Sequence, residues 1–201
     1  MKNTTIPELS QRMPVVRVDP PHPAVIAVEQ LLSQCGLRTQ RRSGPGGQHR
    51  NKTSSGVFLQ HQPTSIVAEA TERRSQAENR AVALTRLRFR LAIELRTGSS
   101  LDVGCPLHDA EESLRHRFRG PANRGQSSRR GSLRLSDTNE SKPAVLALVL
   151  NDLHAAGGQP SVVAPLWSAT TSAVVAMVKS HPAAFSLLNA IRQHHGRGPL
   201  K

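Results

Sequence analysis

The chain has no tyrosine, one tryptophan and four phenylalanines among its 201 residues. Proteins that read single-stranded nucleic acid by stacking its bases build platforms from those side chains, so that mode is poorly served here. Cysteine is scarce too: Cys35 and Cys105 make no disulfide framework and have no metal-ligand spacing. No window approaches the ~18 uninterrupted apolar residues of a membrane span. The first thirty residues lack the basic start, apolar run and small-residue cleavage site of a secretory signal, and Glu8, Asp19 and Glu29 weaken a mitochondrial transit reading. We therefore expect a soluble, cytoplasmic chain without membrane contact, and a monomer.

Acidic residues are the scarcer charge, 14 against 27 Lys and Arg, leaving a formal charge of +13. A surplus of this size attracts polyanions and steers them onto the protein, with nucleic acid the first candidate and an anionic membrane the second. With so few aromatics, contact with RNA is expected through phosphates and shape. The nine histidines form no H-x-x-x-H pair, and neither C-x-x-C nor a serine nucleophile elbow occurs. No metal site and no cofactor are expected.

What the sequence does have is one dense stretch, Ser43-Gly44-Pro45-Gly46-Gly47-Gln48-His49-Arg50-Asn51-Lys52. Glycines let another surface approach the main chain, and Pro45 limits the freedom that they bring. Alone, such a run reads as a surface turn. Its surroundings argue for more. Leu37–Arg42 reads as a strand leading in; Gly56–His61 and Ser65–Ala70 read as a hairpin around Gln62-Pro63-Thr64. Ser75-Gln76-Ala77-Glu78 is a capping-box sequence opening a helix from Gln76 to about Arg96. Ala77, Ala81, Leu84, Leu87, Leu91 and Leu95 give that helix an apolar face to cover the sheet, while Arg86 and Arg90 share another side, for solvent or phosphate.

The remainder divides by composition. Residues 1–23 are polar and proline-punctuated, an extended lead-in of the flexible kind. Ala24–Gln34 reads as a short helix that Gly36 ends. Residues 99–142 hold seven glycine-punctuated arginines (Arg115, Arg117, Arg119, Arg124, Arg129, Arg130, Arg134) and read as a disordered connector with one acidic helical turn. Residues 143–201 read as helices over Ala144–Ala156, Ser161–Trp167, Ser172–Lys179 and Ala183–Gln193. Ala164, Trp167, Ser168, Ala169, Thr170, Val174 and Met177 fit helix-turn-helix spacing, with structural packing and nucleic-acid docking both open. The expected class is α+β: a small sheet covered by one long helix over residues 24–98, then a flexible basic connector and a small all-α unit.

The patterns G-x-G-G-Q-H-x-N-K, P-T-x-I-V and R-S-Q-x-x-N-x-x-x-A-L, in that order between Leu37 and Leu95, resemble the catalytic domain of the class I peptide-chain release factors. The resemblance implies that Gly46, Gly47 and Gln48 enter the ribosome's peptidyl-transferase centre and promote hydrolysis of the ester joining nascent peptide to tRNA. A bound ester needs a positioned water and oxyanion stabilisation, which backbone N–H groups and an amide supply without a titrating group. Arg41, Arg42, His49, Arg50, Lys52, Arg73, Arg74, Arg86 and Arg90 would contact large-subunit rRNA. The family also implies N-methylation of Gln48 by a glutamine methyltransferase.

A codon-reading domain with a P-x-T or S-P-F tripeptide is not evident, since Pro63-Thr64 belongs to the hairpin turn. The chain is thus more similar to short, codon-independent members that rescue stalled ribosomes, although its tail, Arg197–Lys201, is brief and its arginines cluster between domains. A second Gly-Gly-Gln, Gly157-Gly158-Gln159, reads as the glycine end of a helix. The alternative reading is a non-catalytic RNA- or DNA-binding module using the connector and the helix-turn-helix-like unit.

Overall fold

The computed structural model describes residues 6–41, 55–104, 106–119 and 133–201. The chain divides into two compact units, residues 26–91 and residues 1–25 together with 92–201. The described residues are α+β.

The first unit opens with helix α1, Val28–Ser33. Expected from Ala24, the helix starts later because Pro23 lies in a turn closed by Val25 N donating to His22 O at 2.8 Å. Strand β2, Cys35–Gln40, follows at once. Gly36 therefore does not end the helix but sits inside the strand. There β2 pairs antiparallel with β3, Gly56–His61, and β3 with β4, Val67–Ala70, in the order β2-β3-β4. Val57 faces Ala70 and Leu59 faces Ala68 across the ladder, and all four are buried. Between them Phe58 is half-buried and its partner Glu69 exposed, and Gln60 beyond Leu59 is exposed, the two-residue alternation of a sheet with one covered face.

Helix α2 spans Gln76–Glu94. Ser75 Oγ accepts from Glu78 N at 3.3 Å, the N-cap half of the capping box. The buried stripe differs from the expected one: Ala77 and Ala81 are exposed, whereas Asn79, Ala83, Leu87, Leu91 and Ala92 are buried. A buried asparagine begins the stripe, and the four-residue step from it sets the face. Burying Leu87 and Leu91 contributes roughly 1.5–3 kcal/mol each before entropy is counted.

The second unit contains a two-stranded parallel pair, β1, Val16–Arg17, with β5, Leu95–Arg96. The remaining helices are α3, Asp109–Phe118; α4, Lys142–Ala155; α5, Pro160–Val163, continued by a 3-10 turn over Ala164–Trp167; α6, Thr171–Lys179; and α7, Pro182–His194. All 14 residues of α4 are buried, as befits a helix surrounded on every side. It packs against α3, α5, α6, α7 and β5.

Apart from a 3-10 turn over Leu9–Gln11, strand β1 and the turn at Pro23, residues 6–25 have no regular structure, yet they are held. Arg12 pairs with Asp102 at 2.6 Å, Met13 O meets His154 Nε2 at 2.8 Å, and His22 N donates to Glu111 Oε1 at 2.7 Å. Helix α3 extends the single acidic helical turn expected in the connector to ten residues, because Glu111 accepts from His22 N and Thr97 Oγ1 and Arg115 pairs with Asp152, partners that no local pattern announces. Arg96, also fully buried, donates to the Ala92 and Ile93 carbonyls at 2.8 Å each and to that of Leu95. These are orphan carbonyls at the end of α2, where a cation is favoured; burial nevertheless pushes the Arg96 pKa down to about 9.

The second Gly-Gly-Gln terminates α4. Gly157 and Gly158 take φ of +60° and +71°, with Gly157 N donating to His154 O at 3.2 Å and Gly158 N to Leu153 O at 2.8 Å. That crossed pair is the Schellman arrangement. Gln159 is buried and donates to Ala156 O at 3.1 Å.

Candidate functional site

Residues 41–55 join β2 to β3. Their two ends are fixed in register, since Gln40 and Gly56 are direct partners across the antiparallel ladder, a separation of about 5 Å. The Gly-rich run therefore leaves from one strand and returns to its neighbour. Gly56 suits this position because an added Cβ would lie 3.0 Å from Gln40 O and 3.1 Å from Thr71 Cγ2. Gly46, Gly47, Gln48, Arg42, His49, Arg50 and Lys52 lie outside the described residues.

The exit of the run is held by Asn79, which the motif reading quoted without assigning it a role. Its Nδ2 donates to Ser55 O at 2.6 Å and to Arg73 O at 2.9 Å, while Oδ1 accepts from Arg73 N at 2.9 Å. Both amide hydrogens are used, and the residue is fully buried. The chain accordingly brings Arg73 beside Ser55, and Arg41 follows Gln40 at the entry. Arg41, Arg73 and Arg74 are all exposed, so cations flank both ends of the run. The available signal for Asn79 was its fixed distance from the capping serine, four residues back.

Arg86 and Arg90 occupy a different setting. Arg86 donates to Glu69 O at 2.7 Å and pairs with Glu72; Arg90 donates to Val67 O. Both thus tie α2 to β4, an outer strand of the sheet, and take up carbonyls that another strand could otherwise use. The Arg86 guanidinium, followed by the Thr71 N–H, holds the Glu72 carboxyl down at about 2. His61, at the far end of β3, has its pKa lowered by burial, and its ring contacts Thr64 Oγ1 at 2.8 Å and Gln34 Oε1 at 3.2 Å. Those contacts fix the Gln62-Pro63-Thr64 turn. Among the described residues no group of histidine, cysteine and carboxylate side chains could hold a metal ion, and no single helix is long and apolar enough to cross a membrane.

Residues 27–101 match the family model described as RF-1 domain. This stretch of the chain is similar to an RF-1 domain. Over 71 residues it is 42% identical to "Peptide chain release factor 1-like, mitochondrial" of Rattus norvegicus, and equally so to the protein of that name from Mus musculus. The alignment covers 35% of this chain and 19% of each relative. The chain thus spans about a fifth of the length of the curated relatives it matches. The matched residues include the whole β2-β3-β4 sheet, the Gly-rich run and α2.

Proposed function

We propose that this chain hydrolyses the peptidyl-tRNA ester on stalled ribosomes without reading a codon. The observation carrying the proposal is the mounting of the Gly44–Lys52 run: paired strand ends in register at Gln40 and Gly56, within the residues that match the RF-1 domain. In this reading Gly46 and Gly47 let the main chain approach the tRNA end without a Cβ clash. Gln48 supplies a backbone N–H to the developing oxyanion and a side-chain amide that orients water. The partners are large-subunit rRNA at the peptidyl-transferase centre and peptidyl-tRNA, with Arg41, Arg42, His49, Arg50, Lys52, Arg73 and Arg74 contacting phosphates. A glutamine methyltransferase acting on Gln48, a monomeric state and a cytoplasmic location belong to the same proposal; the two relatives are named as mitochondrial proteins.

The pair α5 with its 3-10 turn and α6 bends through 101°, within the range of a helix-turn-helix, and favours a second, nucleic-acid-binding role. Thr170 caps α6 by accepting from Ala173 N at 3.1 Å. However, α6 carries a single basic residue, Lys179, where a groove-reading helix presents several donors. Catalysis is therefore the leading reading.

The test compares stalled complexes with an empty decoding site against complexes presenting a stop codon. Equal release from both supports codon independence. Release confined to stop-codon complexes contradicts it.

A further inference from the structure

We propose that Asn79 is a positioning residue for the Gly-rich run, locking the run's exit to the start of α2; this rests on the release reading above. Asn79 differs from an ordinary buried amide in what it holds. Of its three hydrogen bonds, two go to the backbone of Arg73, and the shortest, at 2.6 Å, goes to the carbonyl of Ser55. Ser55 lies immediately before Gly56, whose ladder partner Gln40 closes the other side. The strand pairing fixes where the run leaves and returns. Asn79 fixes the exit a second time, one residue closer to the tip.

An amide is the side-chain group that fits this task at this length. It must donate twice and accept once along one plane, and it is fully buried. An aspartate of the same shape would retain the bond from Arg73 N, but its ionised carboxylate would face the Ser55 and Arg73 carbonyl oxygens with no hydrogen to donate. Alanine would leave both carbonyls without this donor. Catalysis by a positioned backbone is sensitive to small displacements, a misplacement of about 1 Å costing on the order of 100-fold.

The full-length chain and its Asn79→Asp and Asn79→Ala variants are compared in single-turnover and steady-state peptide release and in amide hydrogen exchange. Both variants are expected to lose at least about tenfold in kcat, with KM for the stalled complex within about twofold. Exchange should rise over residues 40–57 and stay at the parent's rate in α7. In the parent, the Asn79 side-chain amide protons should exchange slowly. Rapid exchange of those protons overturns the clamp directly, whatever the variants do, and so does unchanged exchange over residues 40–57 in both variants. Faster exchange there with unaltered kcat overturns the positioning role. A parent that releases no peptide overturns the release reading instead, while the exchange data still decide the clamp.

Discussion

Arg115 meets Asp152 through two guanidinium nitrogens, at 2.5 and 3.1 Å, although 37 residues separate them. Asp152 also accepts from Ser99 Oγ at 2.7 Å and Trp167 Nε1 at 2.8 Å, and it is fully buried. The Arg115 guanidinium lies 4.8 Å from the centre of the Trp167 ring. One carboxylate thus joins α3, α4, the 3-10 turn after α5 and the segment following β5. Removing one partner of a buried pair leaves a charge uncompensated, which costs about 3–5 kcal/mol. Asp152→Ala and Arg115→Ala should each lower the stability of this unit by that order. Denaturant unfolding followed by Trp167, the only tryptophan in the chain, is the direct measurement.

Acid should loosen the same unit. His22 is fully buried, with Nδ1 accepting from Ala24 N at 3.0 Å and Nε2 3.2 Å from Leu95 O. That fixes the neutral ring, and a proton on Nδ1 would displace the Ala24 bond. Burial, reinforced by the Arg96 charge, pushes its pKa down to about 3. Burial likewise takes His154 to about 4. The unfolded chain therefore binds more protons than the folded one below pH ~6.5. Stability should be full above that value and fall as the pH drops toward 3, with a slope of up to about 1.4 kcal/mol per pH unit for each histidine. His22→Gln should flatten the fall when unfolding midpoints are measured between pH 7 and 4.

Much of the loop-bearing unit was legible because local chemistry specifies it. Gly56–His61 is a strand with the expected bounds, and Ser75 starts α2 where the capping pattern placed it. Gly157-Gly158 could be separated from the earlier Gly-Gly-Gln by the helix before it. Less was legible where a residue's role depends on a distant partner. Nothing local to His22 announces Glu111, and Arg115 reads as one arginine among seven until Asp152 is found beside it. For Arg86 and Arg90, spacing gave the helix side, but only the position of the β4 carbonyls revealed what they bind. For the Gly-rich run, sequence singled out the residues, whereas the structure adds the strand pairing of Gln40 with Gly56 and the bond from Asn79 to Ser55.

The two strand glycines make a paired prediction. At Gly56 a new Cβ would press on the Gln40 backbone and Thr71 at 3.0–3.1 Å, so the sheet must shift. At Gly36 it would meet Gln62 Nε2 at 2.5 Å, the far end of an exposed side chain that can swing away. Gly56→Ala should destabilise the unit by about 1–3 kcal/mol, the usual cost of overpacking. Gly36→Ala should fall well short of that. Thermal unfolding of the two variants beside the parent checks the difference.

The central claim is that the first Gly-Gly-Gln, and not the second, carries the chemistry. Peptide release from stalled ribosome–nascent chain complexes should be measured with the parent, Gln48→Ala and Gln159→Ala. The account predicts release by the parent and by Gln159→Ala, and a rate at least about tenfold lower for Gln48→Ala. Equal release by Gln48→Ala and the parent would contradict it.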